Sequence, residues 1–497
     1  MHPPVLVRLE RCPRRSIPNC FIHRNTRAAF RAWRNSLVTS AQLRLLSRGV
    51  VSQSSPTTFR LHAFRSTKHI HQTEHQPQGD ALNTTRRIAT SVAAFALGAV
   101  ALAGCAGSAV GSSQADASSE APEEIVIGAL HPLSGSNAAD GQQMSNAAQM
   151  AVDAVNDAGG IASLGGARLV LEAADTRGEP ETGQSEATRL IQEGAAALVG
   201  SYQSGTSANI ASVSERNGVP FVMDVSALDS ILEQGYTYSF RIQPSASMMG
   251  TQSATYLSEI STAAGDPVQK VGYLYEQGNF GASAYEAFAA KAAELGITVD
   301  PAISYDPTSS DLSTQVQQVA AAGADVLAVS GYYNDSLAVA RAVNSIAPEL
   351  DAVFGVANGG FDQVQFTSDA PNGGANYLDA NYRWDATNED AVAVADAFEE
   401  KFGQPMRTSA MLTYDAVTLI AEAIETAGSA DPAAIRDAIA DSDYQPHVVN
   451  AGPVSFDETG QNVNASVVTM QVLDGAVRQV FPADLAQEQV VYPAPVN

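Results

Sequence analysis

Residues 125–173 read IVIGALHPLSGSNAADGQQMSNAAQMAVDAVNDAGGIASLGGARLVLEA, and the fold is decided there. The apolar run 125–130 has the length and β-branched content of a buried strand. Across 141–156 the apolar residues recur at helical spacing, and Gly159-Gly160 supplies the stop signal of a helix C-terminus. Residues 168–173 return to strand-forming character. Strand, helix and strand in that order predict parallel sheets flanked by helices.

Outward from this unit the alternation continues. Further apolar runs at 196–199, 220–223, 271–275, 298–303, 326–330 and 352–356 read as strands. Helical spacing reappears at 311–322, 334–346, 389–402 and 411–427. One parallel sheet with so many strands would be unusually large, so the pattern predicts two sheets in an α/β protein.

Toward the N-terminus the composition changes abruptly near residue 104. Residues 1–104 carry 15 Lys+Arg against Glu10, Glu74 and Asp80, which leaves 13 basic (28 − 15) and 50 acidic (53 − 3) residues for the rest. So acidic a body, with only Lys270, Lys291 and Lys401 as lysines, argues against nucleic acid as a partner, because phosphate neutralisation needs basic patches. Cys12 and Cys20 lie in the basic part and Cys105 stands alone beyond it, so the body forms no internal disulfide. With only His131 and His447 as histidines in the body, no metal or other cofactor is expected.

Arg86-Arg87, the apolar run 88–102 and then Leu102-Ala103-Gly104-Cys105 follow the order of a secretion signal: charge, short apolar core, small residues. The run is shorter than the roughly 20 residues a membrane-spanning helix needs. Leu-Ala-Gly-Cys resembles the lipobox of bacterial lipoproteins, which implies lipidation of Cys105 and cleavage before it. Residues 106–124 are small, polar and acidic, the composition of a flexible tether. Residues 1–81 are basic and misplaced for a signal's charged start, so translation is expected to begin near Leu82. A peptide from residues 1–60 detected in cells by mass spectrometry would refute that.

The opening IVIGALHPLSG (125–135), Ala138-Ala139-Asp140-Gly141-Gln142 and AVDAVNDAGGI (151–161) together resemble the branched-chain amino-acid binding proteins of ABC importers. DTRGEP (175–180), LVGSYQSG (198–205), YDAV (414–417) and GPVSFDETG (452–460) continue the resemblance in order. It implies a type I periplasmic-binding-protein fold: two Rossmann-like lobes joined by a three-strand hinge, with a ligand in the cleft. On this chain it implies lobe 1 at 125–243 plus 377–450, lobe 2 at 244–376 plus 451–480, and a C-terminal tail at 481–497. Residues 238–243 and 375–382 become hinge candidates.

Ligands of open α/β sheets sit beyond the carboxyl ends of strands, so the loops there carry the candidates. Ser201-Tyr202-Gln203-Ser204-Gly205-Thr206 lies between a strand and a helix expected to begin near Ser207. Free N–H groups, a positive helix end and hydroxyls suit a carboxylate. Ser204 and Thr206 can equally serve as helix caps; the resemblance places Ser204 on the serine that holds the ligand carboxylate. It also places Ser226 and Ala227 in the segment offering backbone groups and a threonine hydroxyl, yet Ala227 carries no hydroxyl. Residues 355–359 cover the place of a glutamate that meets the ligand's ammonium group, yet they contain Asn358 and no acid. Asp224 is the substitute carboxylate or a loop acid. Phe280 and Tyr332 fall on positions that cover the ligand, though either could be core.

These residues predict an extracytoplasmic, lipid-anchored, monomeric binding protein. It captures an amino acid, amide or related carboxylate by lobe closure and hands it to an ABC permease. A ligand-sensing lipoprotein of the same fold is the alternative. A hydrolase is disfavoured, since no Gly-x-Ser-x-Gly turn surrounds Ser204 and neither body histidine is near it in sequence, and no phosphate loop is found.

Overall fold

The computed structural model describes residues 122–446, 448–449 and 452–496; the leader, the signal segment, Cys105, most of the tether and His447 lie outside the described residues. Among the described residues no helix is long and apolar enough to cross a membrane.

The decisive stretch folds as read. β1 (Glu124–His131) leads into α1 (Ala138–Asp157) and β2 (Arg168–Asp175), and β1 pairs with β2 in parallel. α1 buries Met144, Ala147, Ala148, Ala151, Val152 and Val155, the face that the helical spacing predicted. The chain continues through α2 (Pro180–Gln192), β3 (Ala197–Gly200), α3 (Ser204–Asn217), β4 (Phe221–Met223) and β5 (Ser239–Arg241). These strands form an all-parallel sheet in the order β2-β1-β3-β4-β5.

α4 (Ala246–Ala264), β6 (Lys270–Glu276), α5 (Asn279–Glu294), β7 (Thr298–Tyr305), α6 (Ser313–Ala321), β8 (Val326–Ser330), α7 (Tyr333–Ile346) and β9 (Ala352–Val356) build the second lobe. Strand β10 (Leu378–Asn381) extends the same sheet. α8 (Glu389–Phe402), α9 (Thr408–Ala427) and α10 (Pro432–Ala440) return to the first lobe, where residues of α9 and α1 share one apolar core. β11 (Val468–Leu473) and β12 (Ala476–Phe481) then complete a seven-stranded sheet in the order β12-β11-β10-β9-β8-β6-β7. It is parallel except at its β10-β11-β12 edge.

Two boundaries differ from those expected. Residues 377–381 belong with the second lobe, because all four residues of β10 are buried and three of them, Leu378, Asp379 and Ala380, pair with β9. Residues 454–462 stay with the first lobe: Val454 bridges Tyr444, and Gln461 bridges Arg241. The segment after 481 packs back on the second sheet, where Ala494 is buried and donates to Asp351 O at 2.6 Å and Val491 donates to Gln471 Oε1 at 2.9 Å.

Three chain crossings join the lobes. The first and third are fastened together, since Arg241 Nε donates to Gln461 Oε1 at 2.7 Å, Gln461 Nε2 to Gln243 O at 2.9 Å and Asn462 Nδ2 to Ile242 O at 2.8 Å. The second reaches the first lobe where Trp384 bridges Val449 and Asp385 N donates to Val448 O at 2.9 Å.

Candidate ligand-binding site

β3, β6 and β8 each end in a turn that starts a helix, α3, α5 and α7, while β4 and β9 end in loops, so the cleft is floored by strand ends, loops and helix N-termini. β3 is wholly buried, and past it Ser201 Oγ and Ser207 Oγ lie 2.9 Å apart and hold the turn shut. α3 therefore begins at Ser204, earlier than the sequence suggested, with Gln203 as its N-cap. Ser204 and Gly205 occupy its first turn, where N–H groups have no acceptor within the helix. Ser204 is only 4% exposed, lines a cavity between the lobes, and its hydroxyl meets no partner among the described residues. Thr206 does not line this cavity; its methyl packs toward Gly183 in α2, a helix-packing position.

Tyr202, one of the residues before α3, is buried and crosses the cleft, its ring centroid 5.6 Å from that of Tyr332. Tyr332 lies 5.8 Å from Phe280. Each second-lobe aromatic is positioned by a buried acid. Glu276 accepts from Gly278 N and from Gly281 N at 2.8 Å, which folds the turn that presents Phe280. Asp335 accepts from Tyr332 N at 2.8 Å and from Tyr305 OH at 2.7 Å, and burial pushes its carboxyl up to about 7.

The cavity holds about 340 Å³ of free space, part of it open to solvent. The first lobe lines it with Tyr202, Ser204, Val225 and Ala227; the second with Met249, Phe280, Gly331, Tyr332, Ala357 and Gly359; and Tyr382 enters from the second crossing. Burial, reinforced by nearby carboxylates, holds the phenols of Tyr202, Tyr332 and Tyr382 well above their usual range, so they remain neutral hydroxyls.

Of the positions expected to touch a ligand, Ser204, Ala227, Phe280 and Tyr332 meet around the cavity. Asp224 does not reach it: the side chain is buried, and Oδ2 receives His131 Nε2 at 2.9 Å and Thr413 Oγ1 at 2.7 Å. Ser226 is buried with its carbonyl bound by Gln243 Nε2 at 2.6 Å, and Gly205 also lies outside the lining. Asn358 turns into the second lobe, where Oδ1 accepts from Ser336 Oγ at 2.8 Å, Gly360 N at 2.9 Å and Phe361 N at 3.1 Å. Its neighbour Ala357, in a left-handed conformation with φ 51°, faces the cavity instead.

Sequence reading missed Tyr202, Val225, Met249 and Tyr382. Tyr202 carried a usable signal, since it sits two residues before Ser204 in the turn already singled out. Val225, Met249 and Tyr382 look like core residues in sequence and carried none.

The lobes touch at several further points. Arg407, paired with Asp140 at 2.8 Å, lies 4.5 Å over the Tyr333 ring. Thr408 Oγ1 donates to Asp362 at 3.1 Å, Gln365 Nε2 to Pro405 O at 3.0 Å, and Asn334 Nδ2 to Ser136 O at 2.7 Å.

The periplasmic binding protein family matches residues 124–476. The Leu/Ile/Val-binding protein homolog 8 of Brucella abortus is 31% identical over 375 residues, covering 73% of this chain and 92% of that protein. LivJ from Streptococcus pneumoniae, a branched-chain amino acid transporter substrate binding protein solved with isoleucine, is 25% identical with a TM-score of 0.62. That likeness covers 74% of this chain and 100% of LivJ. A benzoate-bound solute binding protein from Rhodopseudomonas palustris shares the fold at 17% identity and a TM-score of 0.64, over 75% of this chain and 97% of its own.

Proposed function

The chain belongs to the periplasmic binding protein family, and from that premise we propose that it captures a small carboxylate-bearing solute by lobe closure and delivers it to an ABC importer. The solute is an amino acid, an amide or a related carboxylate. The observation that carries this reading is Ser204: an unpartnered hydroxyl on the first turn of α3, opening into a cavity that both lobes line. A helix N-terminus supplies N–H donors and partial positive charge to an anion. The neutral phenols around it add donors.

The first lobe would bind the carboxylate, and closure would add Tyr332 and Phe280 from the second, so that ligand shifts a hinge equilibrium. The protein works outside the cytoplasm, as its family does. We further propose that a diacylglyceryl group on Cys105 tethers it, as a monomer, to the membrane beside its permease. Against an enzyme stands His131, which is committed to Asp224 and does not line the cavity.

A thermal-shift screen of amino acids, amides and small carboxylates tests the reading, because a ligand that binds only the folded state raises the melting temperature. Ser204→Ala should then weaken the best hit by about tenfold or more, the loss of one hydrogen bond to a charged group. If no hit loses affinity, the assignment of the site is wrong.

A further inference from the structure

We infer that the solute is a carboxylate without an ammonium group, a branched or aromatic acid and not its α-amino counterpart. The inference rests on the proposed carboxylate site at Ser204 and concerns what the rest of the cavity accepts.

The wall contains no charged side chain: beyond Ser204 and three phenols it is Val225, Met249, Phe280, alanine and glycine. The groups at the wall itself that carry fixed partial charge are helix ends. Ser204 opens α3, Phe280 is the second residue of α5, Tyr332 caps α7 and Met249 lies in the first turn of α4. All four are N-termini, whose partial positive charge favours an anion and opposes a cation. A buried ammonium group needs an anionic or well-bonded partner to offset lost hydration.

Acids stand behind the wall and none lines it. Asp140 Oδ1, Asp224 Oδ1 and Asp379 Oδ2 are buried without a partner, while Glu276 accepts from Gly278 N and Gly281 N and Asp335 from Tyr332 N and Tyr305 OH. Asp140 pairs with Arg407 at 2.8 Å, Asp224 is bound by His131 and Thr413, and Asp362 faces Arg383 at 3.5 Å and Thr408 at 3.1 Å. Asp379 sits behind the cavity against Asn358 N at 3.4 Å and does not line it. Nor do the rings form a cage for a cation. Tyr332 packs against Tyr202 at 5.6 Å and against Phe280 at 5.8 Å, tilted by 39° and 38°, so the rings contact in succession and do not present parallel open faces to a cation. Such rings make an apolar wall for a hydrocarbon or aromatic body.

The test is calorimetry on the purified protein with matched pairs: leucine against 4-methylpentanoate, phenylalanine against 3-phenylpropanoate, and benzoate alone, with zwitterionic glycine betaine as a carboxylate that carries a quaternary ammonium group. We expect at least one amino-free acid to bind tenfold or more tighter than its amino partner, and that acid to be weakened by Ser204→Ala. An amino acid that binds as tightly as its amino-free partner, or betaine as the best ligand, overturns this inference and leaves the carboxylate site standing. Failure of every carboxylate to bind overturns the carboxylate site, and this inference with it.

Discussion

Gly359→Ala isolates closure from folding. Gly359 belongs to the second lobe and faces Tyr202 of the first across the cleft. Its backbone is outside the left-handed region, so alanine is tolerated conformationally. The added methyl would meet the Tyr202 hydroxyl oxygen at 2.9 Å, Gly331 O at 3.4 Å and Tyr332 Cα at 3.5 Å. Only the first is a clash, and it requires the phenol to retreat by about half an ångström. The phenol is buried against Tyr332 and borders the cavity, so its retreat takes space that a solute would fill. Overpacking of this kind costs about 1–3 kcal/mol. Since the clash exists only when the lobes touch, the cost falls on the closed form, and affinity should drop roughly 5- to 150-fold. The melting temperature of the ligand-free protein should hardly move. Calorimetric titration with the best solute from the screen measures the first, and a thermal melt the second. In a Tyr202→Phe background, which removes the clashing oxygen, Gly359→Ala should cost several-fold less, a coupling that a double-mutant cycle reads directly. Unchanged affinity, or a ligand-free melting temperature lowered in proportion, would refute the placement of this contact between the lobes.

Two further outcomes follow from the buried charges. Asp335 has its folded pKa raised by burial to about 7, well above the usual carboxyl, so folding takes up a proton between about pH 4 and 7. Its stabilising contribution is present at low pH and declines by up to ~1.4 kcal/mol per unit as pH rises through that window; urea unfolding of Asp335→Asn should therefore show a flatter profile than the parent between pH 5 and 8, and parallel profiles would contradict this. Asp140→Asn strips the partner from Arg407, which is only 7% exposed, and should cost about 3–5 kcal/mol in denaturant unfolding; a loss under about 1 kcal/mol would show the pair to be structurally idle.

The α/β layers were legible because buried parallel strands and amphipathic helices leave local signatures, and strand runs from 125–130 to 352–356 lie where the chain placed them. β11 and β12 left none: Gln471, Arg478 and Gln479 interrupt short antiparallel strands at a sheet edge. The site was legible only as far as topology reaches. Strand ends locate the loops, but which side chain of a loop faces the cavity depends on partners distant in sequence. Asp224 is drawn inward by His131, 93 residues away, and Thr413, 189 residues away; Asn358 is drawn inward by Ser336 and by the turn it folds. Both looked like ligand contacts because they are polar, and both are polar because they organise the lobe beneath.

The fastening of the crossings also says where the proposed closure would bend. Arg241, Gln461 and Asn462 bind the first and third crossings into one unit on the first lobe, so bending there must fall beyond Gln243 and beyond Asn462. In the second crossing, Arg383 is held to the second lobe through Asp362 O at 2.5 Å, whereas Trp384 bridges Val449 on the side of the first. The change from one lobe to the other therefore takes place between adjacent residues, Arg383 and Trp384. Tyr382 lies immediately before that point with its side chain in the cavity wall. A solute that filled the cavity would therefore meet Tyr382, next to the proposed pivot, as well as residues of both lobes.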